Sequence, residues 1–71
     1  MSEYLVIYEK TATGYSAYVP DLPGCISTGS TLEVTRHNMQ EAVEGHLAIM
    51  REFGDPIPQP TTTADRIQIP A

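Results

Sequence analysis

The sequence predicts an α+β domain: a three-stranded antiparallel meander, one long helix and a returning edge strand, in the chain order β-β-β-α-β. Three observations carry this reading. The stretch from Ser30 to Gly54 repeats its apolar residues with a helical period, three short runs before it have the composition of strands, and one more such run follows it.

The first run, Tyr4 to Glu9, is Tyr-Leu-Val-Ile-Tyr-Glu, rich in β-branched and aromatic residues and too short for a helix. Tyr4, Val6 and Tyr8 would face one way and Leu5, Ile7 and Glu9 the other. Large apolar groups on both faces predict a central strand, with the helix over one face and a second subunit over the other. Lys10 to Gly14 makes a polar turn, and Tyr15 to Val19 returns as the second strand of an antiparallel hairpin. Pro20-Asp21-Leu22-Pro23-Gly24 then breaks the ladder, because two prolines remove amide donors and a glycine admits turn geometry. Cys25 to Thr28 supplies a third strand.

The helix is signalled at both ends. Ser30 followed three residues later by Glu33 reads as a capping box. Gly54 supplies a left-handed stop, and Pro56 prevents resumption. Between them Leu32, Met39, Val43, His46, Leu47, Met50 and Phe53 fall within one arc, with Ala42 and Ile49 at its edge. Glu33, His37, Gln40, Glu41, Glu44, Arg51 and Glu52 fall on the opposite side. Beyond the helix, Asp55 to Pro60 alternates prolines with other residues and should lie extended against the domain. Arg66-Ile67-Gln68-Ile69 alternates polar and apolar residues before Pro70, which predicts a fourth strand at a sheet edge.

A chain of 71 residues makes one domain, and at that size only about 60% of the unfolded surface can be buried. The core is thin, and such a chain gains from a partner; a homo-oligomer, most simply a dimer, is expected. Nine acidic against four basic residues give a net charge of −5, which repels phosphate backbones and argues against direct nucleic-acid binding by this chain alone. An acidic surface suits a basic protein partner. No apolar run approaches the roughly 18 residues that would span a bilayer, and no basic segment leads into an apolar one at the N-terminus. A single cysteine, Cys25, excludes an intrachain disulfide and suits a reducing cytoplasm.

Candidate chemistry is sparse. A magnesium-dependent nuclease needs several carboxylates converging on the cations. Here Glu9 and Asp21 stand apart from Glu33, Glu41 and Glu44, which face solvent, so no catalytic, metal or cofactor site is expected. His46 sits near the centre of the apolar arc with no ligand partner at four-residue spacing, and reads as a packed histidine bonded through its ring to backbone. Cys25 reads as a small buried side chain. The Asp21 loop has two readings: a structural turn whose carboxylate satisfies nearby amides, or a projecting contact for a partner.

The run Tyr15-Ser16-Ala17-Tyr18-Val19-Pro20-Asp21-Leu22-Pro23-Gly24-Cys25-Ile26-Ser27-Thr28-Gly29-Ser30-Thr31 resembles the HicB antitoxin family: an aromatic strand, then Pro-Asp-Leu-Pro-Gly-Cys, then Gly and Thr opening a helix. The likeness continues through Asn38, Glu41-Ala42-Val43 and His46-Leu47 to Gly54, Pro56, Ile57 and Pro58. It implies a partial, degraded ribonuclease-H-like domain in residues 1–71. It also implies a role, the neutralisation of a small HicA-type toxin that cleaves mRNA with a histidine. Tyr18, Pro20, Asp21, Leu22, Pro23 and Gly24 are then the candidate partner contacts, with Cys25, Ser30, Glu33, His46 and Gly54 structural. Val34-Thr35 departs from the acidic residues and alanine of many relatives and leaves Val34 on the polar helix face. Relatives that repress their own operon carry a DNA-binding segment after this domain, and none is expected within these residues. The alternative is a solitary HicB-like oligomeric scaffold or small-molecule-binding module.

Overall fold

The computed structural model describes residues 2–70, and in them the chain forms β1 (Ile7–Lys10), β2 (Tyr15–Tyr18), β3 (Ile26–Gly29) and α1 (Leu32–Glu52). The strands make one antiparallel sheet in the order β1-β2-β3. Ile7, Tyr18 and Ile26 stand in register across it, as do Tyr8, Ala17 and Ser27 one step along. The α+β class, the meander and the single helix are as the sequence predicts.

Alternation along each strand divides these two rows between opposite faces. Ala17 is buried beneath α1, in a core completed by Val19, Leu22, Cys25 and Met39, with Tyr4, Val6, Tyr8, Ala42, Val43 and Leu47 packed around it. The helix lies chiefly over β3 and β2. Gly29 permits the close approach of the helix to β3, and Gly14 that of the β2 end to the end of β3. A Cβ on Gly29 would sit 2.5 Å from the Thr35 hydroxyl, and one on Gly14 would sit 2.1 Å from the Gly29 carbonyl oxygen. Thr35 is fully buried there, its hydroxyl donating to the Thr31 carbonyl at 2.7 Å.

Several expectations are corrected. β1 is an edge strand and β2 is central, because two short connections lay the strands side by side in chain order. The N-cap is Thr31, whose extended backbone lets its hydroxyl accept from the Val34 amide at 3.1 Å. With the start one residue later than Ser30, the third helical position is Val34, so the Ser30–Glu33 capping box is not formed. Glu33 instead lies in the first turn, where the helix dipole favours a negative charge. Leu32 and Phe53, assigned to the apolar arc, are exposed, while Thr35, outside it, is buried. Leu32 and Phe53 stand at the two ends of the helix, where the small sheet gives less cover, whereas Thr35 packs directly over Gly29 of β3.

The helix end follows the sequence. The Gly54 amide donates to the Arg51 carbonyl and the Asp55 amide to the Met50 carbonyl, at 3.1 and 2.8 Å, with Gly54 at φ +71°. This pairing is the Schellman stop.

No fourth strand forms among the described residues: Arg66 to Ile69 pairs with nothing in the sheet. Ile67 and Ile69 are 81% and 79% exposed. The cause lies upstream. The Tyr4 hydroxyl donates to the Pro58 carbonyl at 2.5 Å, after which the chain crosses to Asp21 in the β2–β3 loop. That path leads away from the outer edge of β1, where a returning strand would have paired.

Candidate protein-binding surface

The Pro20–Gly24 segment is two tight turns in succession. The Leu22 amide donates to the Val19 carbonyl, the Cys25 amide to the Leu22 carbonyl, and the Val19 amide closes the loop onto the Cys25 carbonyl, at 3.1, 3.0 and 3.1 Å. Each turn has proline at its second position, where a fixed φ is pre-organised, and the second has Gly24 at φ +83° in the manner of a type II turn. The shared corner, Leu22, is driven into the core and has no solvent exposure.

Asp21 is the polar centre of this loop. Its carboxylate accepts four hydrogen bonds, from the Thr61 amide and hydroxyl at 3.0 and 3.1 Å and from the Thr62 amide and hydroxyl at 3.1 and 2.7 Å. These bonds, led by the Thr62 hydroxyl, hold its pKa below the ordinary carboxylate range against a smaller opposing effect of desolvation. The amides bonded to Asp21 are not the nearby ones expected of a local turn but those of residues 40 and 41 positions away. No local pattern signals that partner. The Thr-Thr-Thr run at 61–63 has the composition of extended chain and carries no mark of this contact.

Of the other candidate contacts, Tyr18, Pro23 and Gly24 are exposed and Pro20 is half-buried. Tyr18 belongs to the row Ile7–Tyr18–Ile26 on the face of the sheet opposite α1. Nothing among the described residues covers Ile26, which is 71% exposed. Glu9, exposed on β1, lies two residues along from Ile7 on the same face. An apolar strip with an acidic residue beside it is therefore presented to solvent, and exposed apolar rows rimmed by polar groups mark protein contact sites.

The structural candidates divide. Cys25 is buried, and desolvation pushes its thiol pKa up, so it is a poor nucleophile. Ser30 and Glu33 are exposed beside the cap that Thr31 provides. His46 is half-buried, and its ring forms no hydrogen bond to the described residues, in place of the expected ring-to-backbone bond. His37 and Glu41 face each other at 3.6 Å on the solvent side of the helix, a pairing worth little at such exposure. Among the described residues no three His, Cys, Asp or Glu side chains converge as metal ligands would, and no helix is long and apolar enough to cross a membrane.

Comparison with known proteins places this geometry. The chain is 39% identical over 56 residues to a 14.9 kDa protein of the rep-hol intergenic region of Haemophilus phage HP1, covering 79% of this chain and 42% of that protein. It is 44% identical over 41 residues to a UPF0150 protein of Helicobacter pylori, covering 58% of this chain and 57% of that one. A UPF0150 protein of Thermoplasma acidophilum is 33% identical over 58 residues, covering 80% and 84% respectively. The chain thus spans well under two-thirds of the first two of these relatives. Its fold matches a chain of a HicA3 and HicB3 toxin–antitoxin complex with a TM-score of 0.73 and 32% identity, over 84% of this chain and 70% of that one. The family model of the HicB-like antitoxin of bacterial toxin–antitoxin systems matches residues 4–71, and the chain belongs to that family.

Proposed function

We propose that this chain neutralises a small, basic, mRNA-cleaving toxin of the HicA type by covering its RNA-binding surface, and that it acts by binding rather than by catalysis. The observation that carries the reading is the Ile7–Tyr18–Ile26 row, an apolar strip across all three strands on the face that α1 leaves open. Family membership gives the class of partner, and the net charge of −5 suits a basic one. Opposite charge speeds encounter, while buried aliphatic and tyrosine contacts set the lifetime of the complex. Pro23 and Gly24, at the end of the sheet where Tyr18 and Ile26 pair, would extend the contact. The same negative charge argues that the chain alone does not hold nucleic acid, and the lone thiol suits a reducing cytoplasm. Two-sided apolar strands further support self-association.

The test is binding to a purified HicA-type toxin, sought first among the products of adjacent reading frames, with Ile26→Asp and Tyr18→Ala as probes. A central interface residue contributes on the order of 2 kcal/mol, so each substitution should weaken the complex at least tenfold while leaving the helical circular dichroism intact. No measurable complex with the unaltered chain would overturn the proposal.

A further inference from the structure

β1 has the composition of a central strand and the position of an edge strand, and residues 66–69 have the composition of a strand and no sheet. Each lacks what the other offers. Because α1 lies over β2 and β3, the inward side of β1 is left open as a trough of about 750 Å³. Its walls are Tyr4, Val6 and Tyr8 from the β1 side and Met39, Val43 and Leu47 from the helix. These are apolar groups at the margin of the core, and a further strand hydrogen-bonded to β1 would place alternate side chains among them. Ile67 and Ile69, two residues apart and both exposed, have that spacing.

We propose that residues 66–69 of one copy of this chain add as a strand to the β1 edge of a second copy, seating Ile67 and Ile69 in the trough beside its helix. The proposal rests on the self-association read above and names the surface through which it occurs.

Geometry favours a second copy over the chain's own segment. Four hydrogen bonds from Thr61 and Thr62 hold the chain at Asp21, in the β2–β3 loop, away from the β1 edge. From there the segment projects outward. The molecule is 50 Å long, whereas a 21-residue helix spans only about 31 Å. Residues 63–70 can reach roughly 26 Å when extended, enough to lie along a neighbour's strand. The edge of β3 is less available, since the Asn38 side chain donates to the Thr28 carbonyl at 2.9 Å and α1 packs closely there.

Charge agrees. The trough is flanked by Glu3 on the strand side and, along the helix, by Arg36 near its start, Glu44 in its middle and Arg51 in its last turn. Asp65, on the same side of the added strand as Ile67 and Ile69, meets an arginine whichever way the strand enters, while Arg66 faces away from the trough. Mutual exchange between two copies uses the same pair of surfaces twice and closes on a twofold axis, leaving neither β1 edge open.

Sedimentation equilibrium of the full chain should give the mass of two chains at micromolar concentration, and Ile67→Asp with Ile69→Asp should give the mass of one, with unchanged helical circular dichroism. A mixture of isotope-labelled and unlabelled chains should show intermolecular nuclear Overhauser contacts from the Ile67 and Ile69 methyls to Tyr8, Val43 or Leu47. A dimer that survives the double substitution, or contacts that are purely intramolecular, overturns the strand exchange and leaves self-association standing. A monomer for the unaltered chain overturns both. Toxin binding reports on the opposite face of the sheet and is scored separately.

Discussion

Gly24 and Gly54 are required by backbone angle alone, since both have positive φ and a Cβ at either would meet nothing within 4 Å. Alanine at each should therefore cost about 1–2 kcal/mol, the strain of an L-residue in the left-handed region. Gly45 gives the converse. It is exposed within α1 with open space around it, so Gly45→Ala should stabilise the chain by up to about 1 kcal/mol through helix propensity. Chemical denaturation of the three variants checks both signs at once. Asp21 yields a pH dependence. Its folded pKa lies below the unfolded one, so its contribution is fully present above the ordinary value of about 3.9 and is lost as pH falls through the lower folded value. Amide exchange at Thr61 and Thr62 should be slow at neutral pH and accelerate only in acid. Asp21→Asn should bring the fast exchange to neutral pH, and exchange that is insensitive to both changes would remove the latch from the account.

At the scale of elements, the caps decide where α1 begins and ends. Thr31→Ala should destabilise by about 1 kcal/mol and Ser30→Ala by almost nothing, since only Thr31 accepts from an orphan amide. Thermal unfolding of the pair distinguishes them, and the reverse ranking would restore the capping box. Gly29→Ala belongs to a different class. The new methyl would press on the Thr35 backbone and hydroxyl at once, separating helix from sheet, and failure to fold is the expected outcome. These elements differ in how plainly the sequence announces them. The helix, its Gly54 stop and the two hairpin-linked strands were legible because period, glycine and proline act locally. The exact cap was not, because Ser30 and Thr31 are both good caps and the choice falls to the packing of Thr35 over Gly29. The Asp21 bonds were illegible for a related reason: they join residues 40 and 41 apart in the chain, and no local spacing encodes such a contact.

For the whole molecule, the three-stranded sheet has one covered and one open face, because the single helix covers one side only. The misreading of β1 as central has the same root. Its residues are apolar on both sides, while the neighbour that would make it central does not come from the described fold of one copy. The open-face row Ile7–Tyr18–Ile26, half-buried at Ile7 and exposed at Tyr18 and Ile26, is separate from the trough beside β1, so the proposed partner binding and self-association are compatible. Cys25, buried with a raised thiol pKa, should react with thiol reagents at neutral pH only as fast as the fold opens. Its labelling rate consequently reports how far a bound partner suppresses that opening, and a rate matching an unfolded thiol would contradict its place in the core.

The most direct measurement is cleavage of a model mRNA by a HicA-type toxin, titrated with this chain and with its Ile26→Asp variant. Cleavage should fall to background as the unaltered chain reaches the toxin concentration, and the variant should require at least tenfold more. Undiminished cleavage in an excess of folded chain, or equal potency of the two proteins, would contradict the claim that the open face of the sheet neutralises a toxin.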